Sequence, residues 1–217
     1  MTSTNLKIIA CITMLIDHVG AVFFSKYVWL RIIGRIAFPI FAYLIVEGYF
    51  HTKNIKKYLT RLLLFGVVSE IPFNLAFYGE LFYFPGLNIF FTLFLGLLVI
   101  YIYDNYKSYG GIALIIIGVI AEFIGTDYGM IGILVIFLFY IFKGNYIMQA
   151  ISFIAITLIG VGTEYYMSGQ LSIQIYSITS LFLLYIYNGK KGMNIKYLFY
   201  GFYPGHLLII GLIRLFN

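Results

Sequence analysis

The chain has 217 residues, of which 62% are hydrophobic, 20% aromatic and 10% charged, with a mean hydropathy of +0.98. Soluble domains carry about 25% charged residues, so composition excludes a water-soluble globule, and equally a disordered or collagen-like chain. The single cysteine, Cys11, excludes a disulfide framework and a cysteine-rich metal site.

A transmembrane barrel strand alternates apolar and polar positions over about 10 residues, whereas the apolar runs here are continuous and longer. The expected fold is therefore all-α, a polytopic integral membrane helical bundle forming a single domain over 1–217. A spanning helix needs about 20 apolar residues. Breaks at Lys, Asn, Gly and Pro delimit nine candidate spans: 6–25, 29–50, 58–79, 88–104, 110–126, 129–142, 145–164, 171–188 and 195–216.

The first run reads as a span and not as a cleaved signal, because Asp17 and His18 interrupt it and no small-residue cleavage site follows. Lys7 and His18 are eleven residues apart, which at about 100° per residue returns them to one face, with Cys11 and Met14 between. Asp17 points elsewhere, since adjacent helical residues do not face each other. A hydrogen-bonded Asp17–His18 dyad is thus excluded on a regular helix, and Asp17 is expected to pair with Arg35 in a structural role. In the second run Arg31 and Arg35 share a face at i, i+4, with Arg31 expected to snorkel to the interface. Glu47, at the end of that run, is expected in a solvated ion pair near Lys7 and the basic loop.

That loop, HTKNIKKYLTR, holds Lys53, Lys56, Lys57 and Arg61. Glu70 follows in SEIPFN, where Pro72 predicts a kink beside Asn74. The fifth run carries Glu122, and the sixth, 129–142, is short enough to be tilted or re-entrant. In the ninth, His206 lies in YPGHLL, where Pro204 and Gly205 predict a distorted helix. An ionisable group at a membrane helix centre costs about 2.5–3.5 kcal/mol and is a functional candidate by default. Depth along the helices predicts that Asp17, His18, Arg35, Glu70, Glu122 and His206 converge near the midplane around a polar cavity.

Lysines and arginines set orientation. With nine spans, Lys7, Lys53, Lys56, Lys57, Arg61, Lys107, Lys143, Lys190, Lys191 and Lys196 fall on one side. This predicts an inner-membrane protein with a cytoplasmic N-terminus and an external C-terminus. The net charge of +6 then reflects the positive-inside rule and not nucleic-acid binding, although the same lysines can hold an anionic ligand. His18 is either a satisfied core histidine or a group that moves protons near neutral pH; the second reading is favoured. Histidines at 18, 51 and 206 form no ligand spacing, so no metal is expected. Oligomeric state is open, with a homo-oligomer one option.

The blocks LKIIACITMLIDHVGAVFF, LRIIGRIAFPIFAYLIVEGYFHTKN, RLLLFGVVSEIPFNL, NIFFTLFLGLL, DYGMIGIL and FYPGHLLIIGLI run in order along nearly the whole chain. Together they resemble the TraX family, named for a plasmid-encoded enzyme that N-acetylates pilin. That family in turn looks like a branch of the transmembrane acyltransferases, which include the bacterial acyltransferase-3 enzymes and the lysosomal heparan-glucosaminide acetyltransferase. Acyltransferase-3 members show an arginine, ten residues and a histidine on an early helix; here Lys7 and His18 have that spacing, without the arginine fork. The resemblance implies an acetyltransferase using cytoplasmic acetyl-CoA. Its phosphates would lie near the basic rim of Lys7, Lys53, Lys57 and Arg61 and its thioester near His18. The acceptor would be a pilin N-terminus or an extracytoplasmic glycan. His18 would be either general base or transient acetyl carrier, and Arg35, Asn74 or His206 would stabilise the oxyanion. Two other classes compete: a proton-coupled transporter built on the Asp/Glu/His cluster, and a scaffold whose ion pairs are structural only.

Overall fold

The computed structural model describes every residue except Phe84, Asn194 and Asn217, and every described side chain except that of Lys196. The described chain is helical nearly throughout. The elements are α1 (Ser3–Val22), α2 (Val28–Gly34), α3 (Ala37–His51), α4 (Ile55–Tyr78), α5 (Ile89–Asn105), α6 (Lys107–Phe123), α7 (Gly129–Ile141) and α8 (Tyr146–Ser168). A 3-10 helix (Ile173–Thr179) then runs into α9 (Ser180–Tyr185), and α10 (Lys196–Leu215) ends the chain.

Each of the nine apolar runs is occupied by one helix or a consecutive pair. Ser3–Val22, Val28–His51, Ile55–Tyr78, Tyr146–Ser168 and Tyr197–Leu215 are long and apolar enough to cross a membrane. The protein is therefore a multi-pass membrane protein in a lipid bilayer. Ile89–Asn105, Gly129–Ile141 and Ile173–Tyr185 are apolar but shorter, so the nine runs are not nine equal crossings. α7, with 13 residues, covers only about 20 Å at 1.5 Å per residue, against about 30 Å of hydrocarbon. Ile112, Ile115, Ile116 and Val119 on α6 are each more than half exposed, an apolar stripe suited to lipid and not to water.

The run 29–50, expected as one helix, is two. Pro39 explains the break: its ring excludes the carbonyl of residue i−4, which is Arg35, and it has no N–H to offer that carbonyl. The turn is tightened by i→i−3 hydrogen bonds, Arg35 N–H to Ile32 O at 3.2 Å and Ile36 N–H to Ile33 O at 3.3 Å. Pro72 and Pro204, where kinks were expected, lie inside continuous helices.

The chain divides into two compact units: Met1–Phe41, Val68–Tyr83 and Thr157–Asn217 in the first, Ala42–Val67 and Phe84–Ile156 in the second. In the second unit α5, α6 and α7 pack together on Val99, Ile117, Ala121 and Ile133. The fully buried Asn88 caps α5 by accepting the Phe90 N–H at 3.0 Å, and it donates to the Gly66 carbonyl at 2.8 Å.

In the first unit α1 packs against α2 and α10. The amino end is tied to the segment leading into α10, Ser3 N–H bonding Lys190 O at 2.8 Å and Asn188 N–H bonding Met1 O at 2.9 Å. Further along, Lys7 lies over the Phe199 ring and His18 meets His206. The first and last long helices therefore run in the same direction. The C-terminal half of α4 lies alongside them, because Gly211 abuts Leu75 and Ala76, and Arg214 donates to the Ala76 carbonyl at 2.9 Å.

Candidate functional site: two polar networks back to back on the first helix

Asp17 and His18 are neighbours in sequence but, as helical geometry requires, they serve different partners. Asp17 is 7% exposed and holds two guanidinium groups. Arg35 Nη2 donates to both carboxylate oxygens at 2.6 Å, which is the pairing expected from sequence. Arg31 Nη1 donates to Oδ2 at 2.7 Å and to the Asp17 backbone carbonyl at 3.1 Å. Arg31 therefore does not snorkel to the interface: one turn before Arg35 on the same face, it meets the same carboxylate. The approach is possible because residue 34 is glycine, where an added methyl would overlap the Asp17 carboxylate. Arg35 spends its remaining nitrogens on the Arg31 carbonyl, 3.2 Å from Nε, and on Gln174 Oε1, 3.4 Å from Nη1. Asp17 and Arg35 thus tie α1, α2 and the 3-10 helix together.

On the other side of α1, His18 Nδ1 lies 2.8 Å from His206 Nε2. The ring planes are within 14° and the centroids 5.0 Å apart, so the imidazoles lie nearly edge to edge along the hydrogen bond. His206 Nδ1 in turn lies 2.7 Å from the Phe202 carbonyl. A carbonyl only accepts, so Nδ1 of His206 carries its proton, and in the neutral ring Nε2 is the acceptor. His18 must then donate from Nδ1, which leaves its Nε2 with a lone pair. No described residue hydrogen-bonds that Nε2. His18 is only partly covered, held on its flanks by the ring edges of Phe77, 5.2 Å away, and Tyr203, 6.1 Å away.

His18 is 15 residues beyond the start of α1 and four from its end, nearer the C-terminal end than the midpoint expected from sequence, because the helix begins at Ser3. Lys7 keeps the expected face: it points to α10, its Nζ 5.6 Å from the Phe199 ring, while Met14 is buried between. Glu70 and Asn74 are buried on α4 in the same unit, one turn apart, with Phe77 a further turn along the same side.

Two expectations need correction. Glu122 is not at a helix centre: it is exposed in the last turn of α6 and accepts the Met130 N–H at 3.1 Å. Its helix ends at Phe123 and not at 126, so the residue is terminal. Glu47 is not in a solvated ion pair: it is 7% exposed and bound to Lys143, whose Nζ also lies 5.3 Å from the Tyr43 ring centroid. Lys53, in the turn before α4, and Lys57 and Arg61, in its first two turns, belong to the second unit, and Lys7 belongs to the first. Lys53 and Lys57 are exposed, and Arg61 packs its guanidinium 5.6 Å from the Tyr58 ring centroid. The His18–His206 pair, Gln174 and the second arginine on Asp17 were not expected; only the i, i+4 spacing of Arg31 and Arg35 signalled the last.

A two-histidine hydrogen-bond chain beside a buried cluster of one carboxylate and two guanidinium groups defines a multi-pass membrane protein with paired polar networks among its helices. The chain matches the family described as TraX protein over residues 2–214, and it belongs to that family. It is 29% identical over 232 residues to a probable fimbrial assembly protein, FimC of serogroup H1, from Dichelobacter nodosus, covering 98% of this chain and 95% of that protein. It is 30% identical over 142 residues to an uncharacterized protein of Rickettsia prowazekii (strain Madrid E), covering 63% of this chain and 54% of the relative. No solved structure matches it significantly.

Proposed function

We propose that the protein is a membrane-embedded acetyltransferase that moves an acetyl group from cytoplasmic acetyl-CoA to an amine or hydroxyl acceptor, with His18 Nε2 as the proton acceptor. The observation that carries this is the chain Phe202 carbonyl, His206, His18, which fixes the His18 tautomer and leaves one unprotonated nitrogen unbonded. His206 does for His18 what a carboxylate does for the histidine of a serine hydrolase: it orients the ring and shares the positive charge.

In the direct transfer the acceptor nitrogen bonds to the acetyl carbon while its proton passes to His18 Nε2. The carbon–sulfur bond then breaks, and the CoA thiolate leaves and takes that proton back. The same lone pair could instead attack the thioester: the carbon–sulfur bond breaks, the CoA thiolate leaves, and the Nδ1 proton passes to His206. This gives an acetyl-imidazole whose acetyl carbon the acceptor then attacks, freeing Nε2 as the acceptor's proton goes to the thiolate. Both routes use the same two histidines. The family membership and the fimbrial assembly role named for the Dichelobacter relative favour a pilin amino group as acceptor. The donor would arrive from the side carrying Lys7, Lys53, Lys57 and Arg61, with the N-terminus cytoplasmic and the C-terminus external, within one functional domain.

In lipid nanodiscs, acetyl-CoA is expected to raise the unfolding temperature, and the protein to transfer acetyl groups or slowly hydrolyse acetyl-CoA. His18→Ala should lower the rate by at least about 100-fold, the usual contribution of a general base. Full activity in that variant would overturn the mechanism; no thermal shift and no turnover in the wild type would favour the transporter or scaffold readings.

A further inference from the structure

We propose that Asn74 holds the acyl carbonyl oxygen of the donor beside His18, donating from its side-chain amide to the oxyanion that forms there; this rests on the acetyltransferase reading. Asn74 is 0% exposed, yet neither its amide nitrogen nor its oxygen has a hydrogen-bond partner among the described residues. Buried amides are nearly always paired, so an open one in a polar cluster is a place where a ligand completes the set.

Its direction fits. At about 100° per residue, with Phe77 taken as zero, Asn74 lies near 60° and Leu75 near 160° around α4. Phe77 touches His18 of α1, and Leu75 abuts Gly211 of α10. Asn74 therefore points between the residue that faces α1 and the residue that faces α10, into the seam along which those two helices meet.

Elimination agrees. Of the three groups that could stabilise an oxyanion, Arg35 has all three nitrogens engaged, on Asp17, the Arg31 carbonyl and Gln174. His206 has both ring nitrogens committed, to Phe202 and His18. Asn74 alone keeps its donor open. When the acceptor nitrogen adds to the thioester carbon, the carbonyl π pair moves to oxygen and receives the Asn74 N–H. Collapse restores the carbonyl and expels the thiolate, and the acceptor's proton passes to His18.

The test is a kinetic series on the full chain in nanodiscs. Asn74→Ala should lower kcat by about 100- to 1000-fold with KM for acetyl-CoA within threefold and no fall in unfolding temperature. Asn74→Asp, which fills the space but cannot donate when ionised, should be equally slow. As a check independent of any variant, the carbonyl stretch of bound 13C-labelled acetyl-CoA should shift to lower frequency than in solution. The proposal is overturned if Asn74→Ala keeps kcat within threefold, if Asn74→Asp is active, if the variants lose stability and not rate, or if the carbonyl stretch does not move. A wild type that neither binds nor turns over acetyl-CoA would instead bring down the acetyltransferase reading and this proposal with it.

Discussion

The most informative atom in the molecule is the Phe202 carbonyl oxygen, because a group that can only accept fixes two protonation patterns in succession. Replacing His206 with phenylalanine removes the acceptor for His18 Nδ1 and lets the His18 proton redistribute between its two nitrogens. The expected result is a fall in kcat of about 10- to 100-fold, less than for loss of the base itself, with acetyl-CoA binding retained. Nitrogen-15 spectra of labelled His18 should show the Nδ1–H tautomer in the wild type and a mixture in the variant. A single unchanged tautomer in both would remove His206 from that role. Depth along the helices put His18 and His206 at one level, but not their hydrogen bond or the proton pattern it sets. The periodicity of α1 placed Lys7 and His18 on one face, and the structure keeps them there, but no local pattern says that this face meets α10. By contrast the Asp17–Arg35 pair was legible, since two opposite charges in adjacent apolar helices have few other partners.

At the scale of elements, the break between α2 and α3 decides the packing of the amino-terminal region. Pro39 ends the helical ladder at Arg35, both arginines meet Asp17, and Gly34 gives the carboxylate room. Arg31 was misplaced by sequence because it was read by its depth; its i, i+4 spacing from Arg35, which puts both on the face that meets Asp17, was the signal. Gly34→Ala should therefore act through Asp17, costing about 1–3 kcal/mol by overpacking and lowering the unfolding temperature by several degrees. Asp17→Ala strands two guanidinium groups and should cost about 3 kcal/mol. If the network is structural, activity per folded molecule in Asp17→Ala should stay close to wild type. A variant that folds at the wild-type temperature but loses turnover would move Asp17 into the chemistry. Glu122 illustrates the opposite error: an ionisable residue placed deep by counting along a run became a helix-end residue once α6 stopped at Phe123.

Across the whole molecule, the composition sufficed for an all-helical membrane protein, and each of the nine apolar runs is occupied by helix. The lengths were less legible, because a run of apolar residues does not reveal where glycines, caps and prolines interrupt it. The parallel course of α1 and α10 carries a topological prediction. If both cross the bilayer, the two termini lie on opposite faces. In a Cys11→Ser background, Thr2→Cys and Phe216→Cys should react with an impermeant maleimide from opposite sides of sealed vesicles. Labelling of both from one side would rule out that arrangement.

The two histidines are separated by 188 positions, and the second belongs to a helix made long after the first. During biosynthesis His18 is inserted early and stands without the ring that fixes its proton. The pair exists only once α10 has joined its neighbours, so a chain arrested before α10 leaves His18 without its partner. On the acetyltransferase proposal the order of synthesis then acts as a safety catch, arming the chemistry only when α1 and α10 have met.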